Sequence, residues 1–316
     1  MKKISVLIAS AAMLLLATSC LKEGIFQPER RVSKVYDMTV RMSTNYYNGQ
    51  TFTRYDTLDK HVSQEWLWED DMLTAITNYY FYQEYAQPDP VSGVSSVLKF
   101  TYKHKRLAKV SDADGENYST YSYEWFKLAR IAKIESYQLG QLYSTAEITH
   151  EDKIITKAVV NFYGEGEASD ATKFALGTVL PNKKALESVL ARKNAKGDVV
   201  RTLTLDFIYE ENNVTKVVMT DGDVTTTIEY TYDAKMNPFY GFYAMLGDGS
   251  FGAMSQNNII SEKVTTGEGE RITNYEFKYD GEYPSSISRV DSAFDGNNYR
   301  YDYTYTTFYE YLPMED

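Results

Sequence analysis

Along most of the chain, apolar and polar residues alternate with a period of two. Leu203, Leu205, Phe207 and Tyr209 alternate with Thr202, Thr204, Asp206 and Ile208. Successive side chains of an extended chain point to opposite sides, so this run makes one apolar and one mostly polar strand face. A polar turn at 210–213 follows, then Val214, Val217 and Val218, a second turn at Asp221-Gly222-Asp223, and a new alternating run of Val224, Thr226, Ile228, Tyr230 and Tyr232. Asp-Gly between alternating runs is a hairpin signal, and the stretch predicts an antiparallel meander.

The stretch repeats. An apolar or aromatic residue, a spacer and an aromatic are followed by an apolar pair three apart. The frame occurs at Trp66/Trp68 with Leu73 and Ile76, at Phe100/Tyr102 with Leu107 and Val110, and at Phe207/Tyr209 with Val214 and Val217. Phe277/Tyr279 with Pro284 and Ile287 is a variant, and Tyr123/Trp125 with Ile131 and Ile134 fits with one residue inserted. Aromatic marks at 102 and 125, 209 and 232, and 279 and 303 are 23, 23 and 24 residues apart, which implies one hairpin per repeat. Residues 183–192 have a helix-forming composition. A larger parallel, setting Asn161-Phe162-Tyr163 beside Asn237-Pro238-Phe239, aligns them with the strand-like Ile259–Thr265 and predicts a strand. The expected fold is all-β: repeated antiparallel hairpins in a curved meander or barrel-like sheet, soluble, over residues 36–316. Its strands read as about six to eight residues, short of the roughly 9–11 that a membrane strand needs.

The start of the chain has a different character. Lys2 and Lys3, the apolar run from Ile4 to Leu16, and Ala17, Thr18 and Ser19 before Cys20 have the layout of a signal peptide. Cys20 is the only cysteine and stands where a lipoprotein signal peptidase would cut, so residues 1–19 read as the signal, Cys20 as the acylated anchor and 20–35 as a tether. Without residues 1–19, 31 Lys+Arg face 44 Asp+Glu, a net charge of −13 in place of −11. So acidic a chain argues against nucleic acid as a partner. The membrane enters as a partner through the lipid.

Tyr230-Thr-Tyr-Asp233 leading into Asn237-Pro238-Phe239, and Phe277-Lys-Tyr-Asp280 leading into Tyr283-Pro284 and Ile287, resemble a family of lipoproteins from gut and oral Gram-negative anaerobes, known as a domain of unknown function with a porin-like fold. More distantly they resemble the tyrosine–aspartate repeats of large secreted toxin shells. The resemblance covers most of residues 60–310. It implies a curved or barrel-like antiparallel sheet and an outer-membrane address, and it supplies no catalytic residues.

Candidate chemistry is sparse. His61, His104 and His150 lie far apart without metal-ligand spacing, and the acidic turns at 69–71, 112–116 and 221–223 lack the full calcium-loop signature. No nucleophile elbow or phosphate-binding glycine loop occurs, and no cofactor is expected. The compositional outlier is tyrosine, 29 of 316 residues. Tyr299, Tyr301, Tyr303 and Tyr305, and the cluster Tyr79, Tyr80, Phe81 and Tyr82, are candidate stacking surfaces for sugar rings or an outer-membrane protein partner. Asp56-Thr57-Leu58, which precedes a strand, and Asp291-Ser292-Ala293, which leads into the turn at 295–298, fit a short pattern for O-glycosylation of exported proteins, with Thr57 and Ser292 as acceptors. Two functions follow: a non-catalytic binding or assembly module at the outer membrane, or a carbohydrate-active enzyme with an unrecognised carboxylate pair.

Overall fold

The computed structural model describes residues 28, 30–47, 50–83, 90–124, 130–151, 154–163, 167–176, 201–240, 254–294 and 299–313. Among these residues, seventeen strands form one antiparallel sheet. They are β1 (Val32–Tyr47), β2 (Gln50–Glu69), β3 (Met72–Tyr82), β4 (Val91–Lys103), β5 (Arg106–Asp112), β6 (Tyr118–Tyr123), β7 (Ile131–Gln138), β8 (Gln141–Glu151), β9 (Ile154–Phe162), β10 (Arg201–Glu210), β11 (Asn213–Asp221), β12 (Val224–Met236), β13 (Asn257–Thr266), β14 (Gly269–Asn274), β15 (Glu276–Asp280), β16 (Tyr283–Phe294) and β17 (Tyr299–Tyr311). Among the described residues one helix, α1 (Asp170–Leu176), lies between β9 and β10. Each strand pairs with the next, except that β14 and β15 are two halves of one run broken at Tyr275, β14 on β13 and β15 on β16. β17 returns to β1, so the meander is a nearly closed barrel.

The repeat is a bulged hairpin. Trp66 faces Ile76 and Trp68 faces Leu73, with a bulge between the two pairs. The same arrangement recurs at Phe100/Tyr102 with Val110/Leu107, at Phe207/Tyr209 with Val217/Val214 and at Phe277/Tyr279 with Ile287/Pro284. On β6–β7 the partners of Ile134 and Ile131 are Tyr121 and Tyr123, which corrects the inserted alignment on Trp125: the extra residues belong to the connection at 124–130. Trp125 itself lies outside the described residues. Two further units were not visible as repeats, Ile148/His150 with Ala158/Ile155 and Tyr230/Tyr232 with Glu262/Ile259.

The eighth unit is made by the two ends of the chain. Tyr309 and Tyr311 of β17 face Val35 and Val32 of β1, with the bulge at Ser33. The first strand therefore starts within the stretch read as tether, because Val32 and Val35 are the apolar pair that the last aromatic strand requires. The bulged residue after the first apolar position is Ser33, Thr74, Thr215 or Ser285 in four units, and its hydroxyl donates to the spacer carbonyl of Glu310, Leu67, Ile208 or Lys278.

In five units the second aromatic latches the unit to the one before. Tyr102 donates its hydroxyl to the Leu73 carbonyl, Tyr123 to Leu107, Tyr232 to Val214 and Tyr311 to Pro284, while the Trp68 indole donates to Val32 at 2.8 Å. Burial holds the Tyr102, Tyr232 and Tyr311 hydroxyls well above their ordinary pKa, so they remain donors. All these bonds lie at the end of the barrel where β1 starts and β17 stops.

The interior is occupied. α1 packs against β4, β5, β6 and β7, with Phe174 edge-on to Phe100, the Ala171 N–H on Asp112 Oδ1 at 3.0 Å and the Ser119 hydroxyl on the Ala171 carbonyl at 3.2 Å. At the termini end, fully buried Phe239 meets Trp66 and Tyr309.

Two expectations change. The strands reach 13 residues in β4, β12 and β17, 16 in β1 and 20 in β2, because hairpins with two-residue turns keep pairing past each apolar core segment. The larger duplication is not one of topology: β9 pairs directly with β10, so Phe162 and Phe239 fall at opposite ends of the barrel. Residues 183–192 lie outside the described residues.

Candidate functional site

Four strands outrun their neighbours at the end away from the termini. β2 joins β3 only from Gln64 onward, and β16 beyond Ser288 pairs with β17 alone, so β16, β17, β1 and β2 continue as a four-stranded ribbon. Cross-strand register sets the rows on its inner face. One row is Asp291, Tyr303, Arg41 and Asp56; the next toward the core is Arg289, Tyr305, Thr39 and Leu58; the next outward is Tyr301, Ser43 and Arg54.

These rows interact. The Tyr303 and Tyr305 rings stack at 6.3 Å and 18°, and the Arg289 guanidinium sits 4.8 Å over Tyr305 while its Nε donates to Asp291 at 3.3 Å. Arg41 Nη2 reaches Asp56 Oδ2 at 2.7 Å and Arg54 Nε reaches Oδ1 at 2.9 Å. The Arg41 hydrogen bond, aided by Arg54, holds the Asp56 carboxyl below its ordinary range. Burial, then the Asp291 charge, raises the Tyr305 hydroxyl. The result is a strip of stacked rings flanked by oriented guanidinium groups, a surface suited to a polar ring-bearing ligand.

The structure brings together Tyr301, Tyr303 and Tyr305 of the expected set. Tyr299 continues the same strand, paired with Asn45, and its side chain lies outside the described residues. The cluster at 79–82 is divided. Tyr79 bonds Glu65 at 2.7 Å and Phe81 stacks on His61 at 3.8 Å, whereas Tyr80 lies over Gly93 of β4, so close that a Cβ there would come within 2.7 Å of its hydroxyl. Tyr80 and Tyr82 are on the opposite face to Tyr79, and both are exposed. Alternation on one strand prevents a single platform.

Thr57 lies inside β2, not before a strand, and pairs with Val40; Ser292 lies near the end of β16 and pairs with Asp302. Ser292 donates to the Asp302 carboxylate and receives Arg300 Nη2 at 3.3 Å. His104 is a turn residue with φ of 52°, and His150 occupies the second-aromatic position of its hairpin. Cys20 lies outside the described residues. Arg41, Arg54 and Arg289 were not expected in the site; alternation placed them on a face, but only register placed them beside the tyrosines.

The outer wall is charged at the waist. Beside the buried pair Ala158 and Leu205, Lys157 faces Asp206; beside Val217 and Ile228, Lys216 faces Glu229; beside Ile134 and Ala146, Lys133 faces Glu147. Lys34 and Glu65 form a further outer pair at 3.0 Å.

No protein-family model matches the sequence, and no curated protein matches it significantly. Among solved structures, a porin-like protein from Bacteroides uniformis is similar at 13% identity and a TM-score of 0.48, over 89% of this chain and 98% of that one. A porin-like protein from Bacteroides vulgatus is similar at 10% identity and 0.42, over 90% and 99%. The outer membrane protein OpdK from Pseudomonas aeruginosa is similar at 9% identity and 0.25, over 88% and 99%.

Proposed function

We propose that the protein is a lipid-anchored, non-catalytic binding module of the outer membrane whose tyrosine–arginine strip receives a carbohydrate. The observation that carries this reading is the strip itself: stacked Tyr303 and Tyr305 rings with Arg289 over Tyr305, at the end of a barrel whose interior is already occupied by α1 and Phe239. Stacking on rings with charge-assisted hydrogen bonds at their rim is a chemistry that sugars satisfy.

The charged waist supports a barrel that stands in water. A membrane barrel turns an apolar band about 25 Å tall to lipid, and Lys or Arg at its midplane costs ~2–4 kcal/mol each. Lys133, Lys157 and Lys216 stand outside, beside the core segments. Strand length no longer argues against a pore; this charge does. The lipid on Cys20 would then be the attachment; β1 starts at the latched end, so attachment through the segment before it would leave the strip facing away from the membrane. The lipoprotein resemblance on the Tyr-Asp motifs agrees with such an address.

A carboxylate pair for glycoside cleavage is not favoured in this row. Asp56 and Asp291 are three strands apart, roughly 14 Å at ~4.8 Å per strand, against the ~5–9.5 Å such chemistry uses. Of the two glycosylation motifs, exposed Thr57 is the better placed, since the Ser292 hydroxyl is engaged by Asp302.

A glycan array probed with the mature protein tests the binding reading. Tyr303→Ala with Tyr305→Ala is expected to weaken the best glycan about tenfold, ~1.4 kcal/mol. No bound glycan, or binding unchanged in the double variant, would overturn it. Cys20→Ala is expected to abolish fatty-acid labelling and membrane fractionation.

A further inference from the structure

We propose that the far half of β2 is a dimerisation edge, completed by the same strand of a second copy of this chain. On one side residues 50–62 pair with β1; on the other, among the described residues, no strand joins β2 before Gln64 meets Asn78. Near its inner end the edge is met by Phe81, which stacks on His61, and by Gln83 just past β3, whose side chain accepts the Asp59 N–H at 3.0 Å, while the Asp59 carbonyl meets His61 Nδ1 at 3.0 Å. Beyond that point the strand carries large exposed side chains: Phe52 is 55% exposed and Tyr55 66%. Natural edges this long are usually interrupted by proline or bulges, and residues 50–58 contain no proline.

Backbone parity decides which groups face outward. Tyr47 and Gln50 close a two-residue hairpin and so turn their N–H and C=O groups toward each other. Counting by two, those of Thr51, Thr53, Tyr55 and Thr57 point away from β1, and the Asp59 N–H on Gln83 fits the count.

The edge is chemically palindromic about Tyr55: Phe52-Thr53-Arg54-Tyr55-Asp56-Thr57-Leu58. When two copies run antiparallel about that residue, Tyr55 meets Tyr55 and Thr53 meets Thr57, with their free backbone groups in hydrogen-bonding pairs. Phe52 meets Leu58, and Arg54 meets Asp56 twice, in the close pairs where side chains interact most. Arg54 now bonds Asp56 of its own strand and has a largely exposed side chain, so it can turn to the second copy while Arg41 keeps its bond. A self-complementary strand produces the two-fold contact that is commonest among oligomers. The free edge of β16, from Arg289 to Phe294, has no such symmetry.

Cysteine cross-linking of the full-length chain in membranes tests this, with the unsubstituted chain as the blank for Cys20. Tyr55→Cys brings two thiols together at a hydrogen-bonded pair, about 5.5 Å between Cα atoms, within the ~4.4–6.8 Å a disulfide spans. Mild oxidation is expected to give a dimer on a non-reducing gel. Thr57→Cys is expected to give none, because its counterpart is displaced four residues, roughly 13 Å at ~3.3 Å per residue. Adding Arg54→Asp to Tyr55→Cys should reduce the dimer at least fivefold, and adding Asp56→Arg to that should restore it. No dimer from Tyr55→Cys, or equal dimer from both cysteine positions, would overturn the proposal, as would cross-linking indifferent to Arg54→Asp.

Discussion

Glu262 departs from the pattern that surrounds it. The corresponding position of the other units is Val35, Ile76, Val110, Ile134, Ala158, Val217 or Ile287, none more than 2% exposed, and Glu262 is 1% exposed in the same place. It faces Tyr230, whose hydroxyl is raised first by burial and then by this carboxyl. Burying a charged group costs several kcal/mol before any partner offsets it, and an apolar residue of similar volume is often neutral or better. Glu262→Ile is therefore expected to stabilise the fold by about 1–2 kcal/mol, read as a higher urea midpoint at neutral pH. A lower midpoint would mean that the carboxyl holds this wall together.

The hairpin element couples two levels of packing. Its bulge lets both aromatics face the core, and the second aromatic then reaches the previous hairpin's first apolar residue, as Tyr123 does to the Leu107 carbonyl at 2.7 Å. A net hydrogen bond of this kind contributes about 1 kcal/mol, and leaving a buried carbonyl without its donor costs ~1–3 kcal/mol. Tyr123→Phe is expected to lower stability by about 1–2 kcal/mol with no change in strand content by circular dichroism. Tyr279 departs from the rule, since its hydroxyl goes to the Asp233 carboxylate, which also accepts the Asn258 N–H.

Over the whole molecule, closure is the unusual feature. The seam between β17 and β1 has the same bulge, the same Ser hydroxyl and the same aromatic-to-apolar pairing as a covalent hairpin. Because Val32 and Tyr311 lie side by side, a short linker joining them should be compatible with the fold, and the two-residue turn at Gly222-Asp223 offers new ends. Such a circular permutant is expected to keep the far-UV spectrum and cooperative unfolding of the parent. Loss of either would show that closure depends on chain order.

The alternation of Leu203 to Tyr209, the Asp-Gly turns and the frame at residues 66, 100, 207 and 277 determine an antiparallel hairpin sheet by themselves, because side-chain period and turn chemistry are local. The signal layout before Cys20 is local in the same way. Closure was not legible: its two halves, Val32/Val35 and Tyr309/Tyr311, stand at opposite ends of the sequence, and only the barrel makes them neighbours. The strip was half legible, since Tyr301, Tyr303 and Tyr305 share a face by parity while Arg41, Asp56 and Arg289 arrive from other strands through register. Register, unlike period, is set by pairing between distant segments, and a shift of one residue would turn each of these side chains to the other face.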